Sequence, residues 1–354
     1  MLNVGIRVDG GINIGMGHVM RCLSLAKAFR GMGAKVYFLS RFELGNSKIG
    51  REGFEVLKMP IYEEENPKGF SYGDTIWLRE DARNIIDKIG KFDLDVLIID
   101  SYNVTESFFL ELGSHIKKLC YIDDMNSFLY PVDVLINGNI TALSMGYRRY
   151  KKDETMLLGI KYNLIREEFK GLDTKKTSKC VKEIMITMGG ADPLGLSLRF
   201  SKLIATDIRF RDVTVNVIVG NGFVNKSDLK QVQRVNANVI LHENIGKMSE
   251  IMLRSDVAIS SAGSTLYELC ACGTPTLSVI VADNQERNAN MLSDEGYISN
   301  LGWYNQLSDS KMLKCLKLLC DNYQKRLSLS QKMRELVDGK GANRVARKIS
   351  KLCL

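Results

Sequence analysis

The sequence predicts an α/β protein of two domains, each built on a parallel β-sheet covered by helices. In the first half, short apolar runs alternate with amphipathic stretches, which is the element order typical of such sheets. The same alternation restarts after the polar run 170–182, and a length of 354 residues suits two domains with ample cores. We therefore expect one domain over 1–170 and a second over 180–340.

Strands and helices of the first domain follow from the spacing of apolar residues. Strands are predicted at 36–39, 54–57, 95–100, 119–122 and 132–136, and helices at 80–91 and 105–117. Ligands of parallel sheets bind beyond the carboxyl ends of the strands. Asp100, Tyr102 and the pair Asp123 and Asp124 follow two of these strands and are candidate site residues. An Asp at such a place also often starts a turn or caps a helix, so both interpretations stay open.

The N-terminal stretch 4–22 combines an apolar run, a glycine-rich loop and a helix that opens at His18. Free N–H groups in the first turn of a helix attract anions, and Gly15 and Gly17 let a ligand approach the backbone. The positive end of the helix dipole disfavours imidazolium, so a neutral His18 is expected there as a proton acceptor. A purely structural first-turn His is the competing interpretation. A dinucleotide fingerprint would require glycine where Met20 stands.

The charge of the chain favours anionic ligands without choosing among them. The formal net charge is +8 and the isoelectric point is about 8.9. The basic clusters 148–152 and 175–179 are typical of solvated surface, whereas nucleic-acid binding requires a denser basic stripe with stacking aromatics. We expect no nucleic-acid partner, while docking to an anionic membrane surface stays open.

The eight cysteines of the chain include no C-x-x-C spacing. This scatter predicts neither a zinc site nor a disulfide framework, so we expect no metal and reduced thiols. There is no cationic leader followed by an apolar segment and no apolar run of ~18 residues. The sequence thus predicts a cytoplasmic protein without a transmembrane segment, and it leaves the oligomeric state open.

The second domain opens with the same pattern as the first. A strand over 183–188 runs into Gly189 and Gly190, and an amphipathic helix is predicted over 194–206. This order predicts a second loop at which a phosphate can approach the backbone. Two such loops in one chain favour a single ligand shared by both domains. Further strands are predicted at 213–219 and 239–241.

The most specific stretch of the chain surrounds Gly263. Here a strand ends, Gly263 allows backbone contact, and Ser264 and Thr265 open a helix whose N–H groups can hold a diphosphate. Glu268 lies one turn further, where a carboxylate can accept both hydroxyls of a ribose. A helical Glu is also often a surface or capping residue, and that interpretation remains beside the functional one.

Two motifs carry a resemblance to a known family. They are Gly15-Met-Gly-His18-Val-Met-Arg21-Cys22 and Ser261-Ala-Gly263-Ser-Thr-Leu-Tyr-Glu268, the second followed by Asn284-Gln285. In both, the sequence resembles the PseG/SpsG family, nucleotide-sugar hydrolases of pseudaminic acid biosynthesis with a MurG-like GT-B fold. The resemblance implies two Rossmann-like domains whose parallel sheets face each other across an interdomain cleft. It also implies that the stretch 341–354 returns to the first domain.

The resemblance further implies roles for individual residues. The implied catalytic residues are His18, which is the base, and Tyr102, which lines the sugar pocket beside it. The backbone at Ile245 reads uracil, and Arg166 pairs a phosphate or a carboxylate unless it forms only a surface salt bridge. The implied substrate-binding residues are Gly15, Gly17, Arg21, Arg166, Gly189, Gly190, Ile245, Gly263, Ser264, Thr265, Glu268, Asn284 and Gln285.

The reaction that the resemblance implies is hydrolysis of UDP-2,4-diacetamido-2,4,6-trideoxy-β-L-altropyranose to UDP and the free sugar. Water attacks C1 with inversion, His18 takes the proton of the water, and neither a metal nor a cofactor is needed. A GT-B glycosyltransferase is the first alternative, because it uses the same donor site and the same kind of base. A non-catalytic basic protein that binds nucleic acid or membrane is the second.

Overall fold

The computed structural model describes residues 1–11, 14–62 and 77–353. They form two compact units. Unit 1 combines Met1–Glu167 with the stretch from Gly339 onward, and unit 2 is Glu168–Asp338. Each unit contains one sheet in which all described strand pairs are parallel, with helices beside it. The predicted fold class, an α/β protein with two parallel sheets, is confirmed.

The sheet of unit 1 has seven strands in the order β3-β2-β1-β4-β5-β6-β7. Because β2 and β3 extend to one side of β1 and β4 to β7 to the other, the winding of the chain reverses between β1 and β4. The strands are β1 (Asn3–Val8), β2 (Lys35–Ser40), β3 (Glu55–Lys58), β4 (Val96–Asp100), β5 (Lys118–Ile122), β6 (Val134–Asn137) and β7 (Thr155–Leu158).

Helices cover both faces of this sheet. They are α1 (Gly17–Arg30), α2 (Glu43–Arg51), α3 (Leu78–Lys91) and α4 (Glu106–Gly113). Alternate residues of β4 enter different cores: Ile98 packs with α1, whereas Leu97 and Ile99 pack with the opposite layer. A strand buried on both faces reads as a continuous apolar run, which is why 95–100 was recognisable in the sequence.

One predicted helix of unit 1 is too long. The expected helix 105–117 begins after Thr105, whose side chain accepts a hydrogen bond from the backbone of Phe108, but it ends at Gly113. Gly113 and Ser114 are poor helix formers, and the chain turns there into β5. His115 therefore lies in a turn, exposed to solvent, and not on the helix as predicted.

The sheet of unit 2 has six strands in the order β10-β9-β8-β11-β12-β13, with its reversal between β8 and β11. The strands are β8 (Glu183–Thr187), β9 (Thr214–Val219), β10 (Val239–Glu243), β11 (Val257–Ser261), β12 (Thr276–Ile280) and β13 (Ser299–Trp303). The helices are α5 (Leu196–Thr206), α6 (Lys226–Val235), α7 (Met248–Arg254), α8 (Thr265–Cys272), α9 (Asp283–Asp294), α10 (Asp309–Asp321) and α11 (Tyr323–Leu336).

The helix predicted over 194–206 starts later, at Leu196. The reason is Gly195, whose φ of +63° places it in the left-handed region, outside a right-handed helix. The polar run 170–182 lies in unit 2, where Arg326 donates to the carbonyls of Ser178 and Lys179.

The last helix, α12 (Gly341–Lys351), belongs to unit 1. Its apolar face, with Val345 and Ile349, is buried in the same core as Val19 and Cys22 of α1. Leu354, the end of the stretch expected to return to the first domain, lies outside the described residues. Within the described part of the chain, every helix is too short or too polar to span a bilayer.

Candidate active site

The reversal point of unit 1 brings together residues that are far apart in the sequence. Strands β1 and β4 are neighbours, with Val8 paired in register with Asp100. The loop after β1 leads into α1, which begins at Gly17. His18 in the first turn of α1 and Asp100 at the end of β4 therefore meet at the carboxyl edge of the sheet. This is the place where open α/β sheets bind ligands.

His18 and Asp100 form a hydrogen-bonded pair. The Nδ1 atom of His18 lies 2.5 Å from Oδ1 of Asp100, whose side chain is fully buried. Arg21 binds the same carboxylate through Nε and Nη2, both at 2.7 Å. Burial alone raises the pKa of Asp100, but Arg21 and His18 outweigh burial and hold that pKa well below its ordinary value. Asp100 is thus an anion on the inner side of the imidazole.

The pairing with Asp100 determines the tautomer of a neutral His18 ring. A carboxylate accepts only, so Nδ1 carries a proton and donates to Asp100, and Nε2 is the atom able to take a proton. The side chain of His18 is 12% exposed, and the ring of Tyr102 packs edge-on against it at a centroid distance of 5.0 Å. A base oriented by a buried acid is the arrangement that activates water or a hydroxyl in many enzymes.

Arg21, expected to bind substrate, is held by two carboxylates of the protein. Beyond its two bonds to Asp100, its Nη1 lies 2.7 Å from Oδ2 of Asp124. Burial by itself lowers the pKa of Arg21. Asp100 and Asp124 outweigh burial, so the pKa of Arg21 lies well above its ordinary value. Three of the five N–H donors of the guanidinium therefore face protein carboxylates.

Tyr102 also depends on Asp124. Its hydroxyl donates to Oδ2 of Asp124 at 2.9 Å, and burial together with this carboxylate raises the pKa of Tyr102 well above its ordinary value. Tyr102 is therefore a neutral phenol whose proton is committed to Asp124. The side-chain amide of Asn139 donates to Oδ1 of the same carboxylate at 2.8 Å.

The two acids after β5 have different functions in the structure. Asp123 is fully buried and accepts hydrogen bonds from the backbone of Met125 and Asn126 and from the hydroxyls of Tyr130 and Tyr147. It therefore holds the turn, as the structural interpretation of a strand-end Asp requires. Asp124 instead enters the group of polar side chains around His18.

Sequence reasoning named Asp100 and Asp124 as strand-end acids but assigned neither to His18, and it missed Asn139. The signal was present for all three. Asp100 ends β4, Asp124 follows β5 and Asn139 follows β6, so the carboxyl ends of three adjacent strands supply them. What the sequence lacked was the strand order that makes these ends neighbours.

The glycine loop before α1 leaves its backbone accessible. Gly15 has a φ of +75° and pairs with Gly11 through two backbone hydrogen bonds. A Cβ atom added at Gly15 or at Gly17 would meet no atom within 4 Å, and no side chain caps the start of α1. Residues 12 and 13 of this loop lie outside the described residues.

In unit 2, the first glycine loop precedes a helix whose start is already occupied. Gly189 and Gly190 are exposed after β8. The buried carboxylate of Asp192 accepts from the backbone N–H groups of Leu196 and Ser197, at 3.0 and 2.8 Å. An anion at this loop therefore has the backbone at 189–190 to bind, while the N–H groups of the first turn of α5 are taken.

The second glycine loop of unit 2 precedes α8. Gly263 follows β11, and Ser264, the residue at the start of α8, forms no capping hydrogen bond with its own side chain. Gln285 lies beside the loop. Its Oε1 accepts from the backbone of Val281 at 3.1 Å, and its Nε2 lies 3.9 Å from the place a Cβ of Gly263 would occupy. The structure thus brings Gly263, Ser264, Thr265 and Gln285 together.

The other predicted site residues lie as follows. Glu268 is half-buried in the first turn of α8, Asn284 is exposed in the first turn of α9, and Ile245 is half-buried just after β10. Arg166 lies in unit 1, next to its boundary with unit 2. No group of three or more His, Cys, Asp or Glu among the described residues is arranged to hold a metal ion.

His242 lies on β10 in unit 2, and the residues around His18 lie in unit 1. Its Nε2 is 2.8 Å from Oδ1 of Asn216, and Arg254 contacts the same oxygen at 3.0 Å. Burial and Arg254 lower the pKa of His242.

Comparison with known proteins identifies relatives that match most of the chain. An uncharacterised protein of Methanocaldococcus jannaschii is 29% identical over 290 residues, which are 78% of this chain but only 55% of that protein. The spore coat polysaccharide biosynthesis protein SpsG of Bacillus subtilis is 23% identical over 97% of this chain and 96% of its own length. The UDP-2,4-diacetamido-2,4,6-trideoxy-β-L-altropyranose hydrolase of Campylobacter jejuni is 27% identical over 84% of this chain and 98% of its own.

The fold and one domain are matched as well. Residues 184–349 match the model of the glycosyltransferase family 28 C-terminal domain. The crystal structure of Acinetobacter baumannii MurG matches with a TM-score of 0.70 at 14% identity, covering 99% of this chain and 100% of that one. The chain is therefore a homologue of SpsG and of the altropyranose hydrolase, with a family 28 C-terminal domain on a MurG-like GT-B fold.

Proposed function

We propose that the protein hydrolyses UDP-2,4-diacetamido-2,4,6-trideoxy-β-L-altropyranose to UDP and the free sugar. The observation that supports this proposal most strongly is the pair of His18 and Asp100, 2.5 Å apart at the reversal point of unit 1. It supplies a base with a defined tautomer at the position where such sheets bind ligands. The name of the Campylobacter relative supplies the substrate.

In the proposed reaction, Nε2 of His18 takes a proton from water while the water oxygen forms a bond to C1 of the sugar. The bond between C1 and the phosphate oxygen breaks, and its electron pair leaves with UDP. Because the water attacks from the face opposite the leaving group, the configuration at C1 inverts. The carboxylate of Asp100 orients the imidazole and stabilises the imidazolium that forms. Positioned base catalysis of this kind contributes about 10²–10⁴-fold.

The proposal assigns the nucleotide to unit 2. The backbone N–H groups at Gly263, Ser264 and Thr265 bind the diphosphate, because Ser264 at the start of α8 forms no capping hydrogen bond with its own side chain and the helix dipole favours an anion there. The same groups stabilise the charge that develops on the leaving phosphate.

The remaining assignments follow the family resemblance. Glu268 accepts the ribose hydroxyls, and the backbone at Ile245 binds uracil. Asn284 contacts the sugar, and Gln285 helps to position the donor. The loop at Gly189 and Gly190 offers a second place of approach for phosphate. The sugar itself is assigned to unit 1, beside His18 and Tyr102. The backbone at Gly15 and Gly17 offers an approach for the diphosphate, and Arg166 pairs a phosphate or a carboxylate.

Hydrolysis in isotope-labelled water tests the position of attack. We expect the label in the free sugar, because the new bond joins the water oxygen to C1. Label in UDP would show attack at phosphorus and would overturn the proposed function of His18.

A GT-B glycosyltransferase is the second candidate, and the family 28 domain together with the MurG-like fold favours it. Both candidates require a UDP-sugar donor and a base, so the acceptor separates them. A hydrolase releases UDP at the full rate in buffer alone. Release that depends on an added acceptor hydroxyl would establish a transferase instead.

A further inference from the structure

Arg21 and Asp124 lie next to the pair of His18 and Asp100 and are not required by the proposed chemistry. Arg21 connects the two carboxylates, with two bonds to Asp100 and one to Asp124, all at 2.7 Å. Its Nη2 also lies 3.2 Å from Nδ1 of His18. A cation placed this close to the ring disfavours imidazolium unless another anion offsets it.

We propose that Asp124 and Arg21 are a charge pair that sets the proton affinity of His18 through Asp100. The inference rests on the proposed function only in calling His18 a base. Both residues are positioning residues, since neither is assigned a contact with the reacting atoms.

The charges around His18 support this proposal. With a neutral imidazole, the two carboxylates and the one guanidinium leave the group with a net negative charge. When His18 takes a proton, the group becomes neutral. The side chains of His18, Arg21, Asp100 and Asp124 are each at most about one-fifth exposed. Water therefore screens their interactions only weakly. The group is thus electrically balanced once the proton has been transferred.

Two further titratable side chains contact this group among the described residues, and neither adds a charge. The pKa of Tyr102 is raised by burial and by Asp124, and the pKa of the Cys22 thiol, 3.2 Å from Asp100, is raised by burial and by Asp100. Both stay neutral at physiological pH. The titratable and charged groups with described contacts to His18 or to its partners are Asp100 on β4, Arg21 and Cys22 on α1, Tyr102 after β4, and Asp124 after β5. Asp123 lies beside Asp124 in the turn, and burial together with Asp124 raises its pKa.

Asp124 is itself firmly held, which a charge partner requires. Its Oδ2 accepts from Arg21 and Tyr102 and its Oδ1 from Asn139. The turn that carries it is fixed by Asp123. Burial raises the pKa of Asp124, but Arg21 and His18 outweigh burial and keep it below its ordinary value. Asp124 is therefore ionised throughout the range in which an imidazole titrates.

Removing the charge of Asp124 and removing the charge of Arg21 are expected to shift the titration midpoint of His18 in opposite directions. In Asp124→Asn, the charge of Arg21 is offset by Asp100 alone, so we expect the titration midpoint of His18 to fall by about one pH unit. In Arg21→Gln, two carboxylates remain without their cation, so the midpoint rises by about one pH unit. The double variant removes one charge of each sign, and its midpoint returns toward that of the wild type.

The test is nitrogen-15 NMR of the full chain labelled at histidine. The chain has three histidines, and His18→Gln identifies the signal of His18. The exposed His115 and the unit 2 residue His242 serve as internal references. In the wild type we expect the tautomer protonated at Nδ1. Asn139→Ala is the matched neutral control, since it removes a hydrogen bond to Asp124 without changing charge, and it leaves the midpoint nearly unchanged.

The outcomes are distinct. Opposite shifts in the two single variants support the proposal, whereas no shift, or shifts in the same direction, overturn it. Arg21→Lys keeps the charge while losing the bidentate geometry, so it retains a near wild-type midpoint and serves as the test if Arg21→Gln does not fold. The titration needs no substrate, so opposite shifts in a protein that fails to hydrolyse the UDP-sugar would overturn the proposed function alone.

Discussion

The chain reverses its winding at equivalent places in the two units, between β1 and β4 in unit 1 and between β8 and β11 in unit 2. In unit 1 the carboxyl edge of the sheet at this place carries titratable and charged side chains, among them His18, Arg21 and Asp100. In unit 2 it carries glycine loops, in which Gly189 is exposed and Gly263 is half-buried. The same topology thus presents a proton acceptor in one unit and N–H donors in the other. What differs is the side chains placed at the strand ends.

A second contrast lies within unit 2. The start of α5 is capped by the carboxylate of Asp192, whereas Ser264 at the start of α8 forms no capping hydrogen bond with its own side chain. Both helices follow a strand and a glycine turn, so the sequence pattern predicts an anion site at each. Because a protein carboxylate already accepts from the N–H groups of Leu196 and Ser197, we expect a diphosphate at the start of α8 and not at α5.

The largest expected effect that separates the functions of the two units is the loss of turnover in His18→Ala. Turnover of the UDP-sugar falls about 10²–10⁴-fold, because the base is lost. The affinity for UDP stays unchanged, since the proposal assigns the nucleotide to unit 2. Rates of UDP release and calorimetric titration with UDP measure the two quantities, with His115→Ala as the matched control. An equal loss of UDP affinity in His18→Ala would contradict the assignment of the base to unit 1 and of the nucleotide to unit 2.

The next effect is on stability and is confined to unit 1. Asp100→Asn leaves Arg21 without its bidentate partner, so the free energy of unfolding of unit 1 falls by about 3–5 kcal/mol at pH 7. The chain has two tryptophans, Trp77 in unit 1 and Trp303 in unit 2. In a Trp303→Phe background, the fluorescence of Trp77 during urea unfolding therefore reports on unit 1.

Acid reduces the difference in the free energy of unfolding of unit 1 between the wild type and Asp100→Asn. The pKa of Asp100 in the folded protein lies below the ordinary value of 3.8, so the folded state binds fewer protons than the unfolded state as the pH falls below about 4. The stabilisation from the ionised carboxylate is fully present above that range and is lost on acidification. A difference that stays constant between pH 7 and pH 3 would be the contrary result.

A smaller effect is expected at the start of α8. Ser264→Pro removes one backbone N–H, and the φ of −59° at Ser264 suits proline. We expect the affinity for UDP to fall about tenfold, which corresponds to one hydrogen bond to a charged group. Ser264→Ala is the matched control, because it removes the hydroxyl and keeps the N–H. Equal losses in the two variants would mean that the side chain, and not the backbone, binds the ligand.

The smallest expected effect is on the stability of unit 2, and it tests whether the start of α5 takes part in UDP binding. Asp192→Ala removes the cap of α5 and lowers the free energy of unfolding of unit 2 by about 1 kcal/mol. In a Trp77→Phe background, the fluorescence of Trp303 follows this unit. The affinity for UDP is expected to stay at its wild-type value. A gain or loss of UDP binding would show that the start of α5 takes part in the nucleotide site.

Strands buried on both faces could be predicted well from the sequence, as 95–100 and 183–188 illustrate, because their apolar runs are continuous. Helix ends were less predictable. The end of α4 at Gly113 and the late start of α5 at Leu196 depend on local backbone geometry at glycines, which periodicity does not report. The acidic pair after β5 shows the same limit, since nothing in the sequence distinguishes the turn-forming Asp123 from Asp124.

The sequence by itself determined the α/β class, the position of His18 in the first turn of a helix and the glycine loops, since all three follow from local spacing and residue type. Only the tertiary structure decided that Asp100, Asp124 and Asn139 lie together with the first turn of α1, and that Asp192 caps the start of α5. The physical reason is that strand order and side-chain direction arise from packing between segments distant in the chain. The same residue type after a strand becomes a turn anchor, a helix cap or a partner of a base according to what packs beside it.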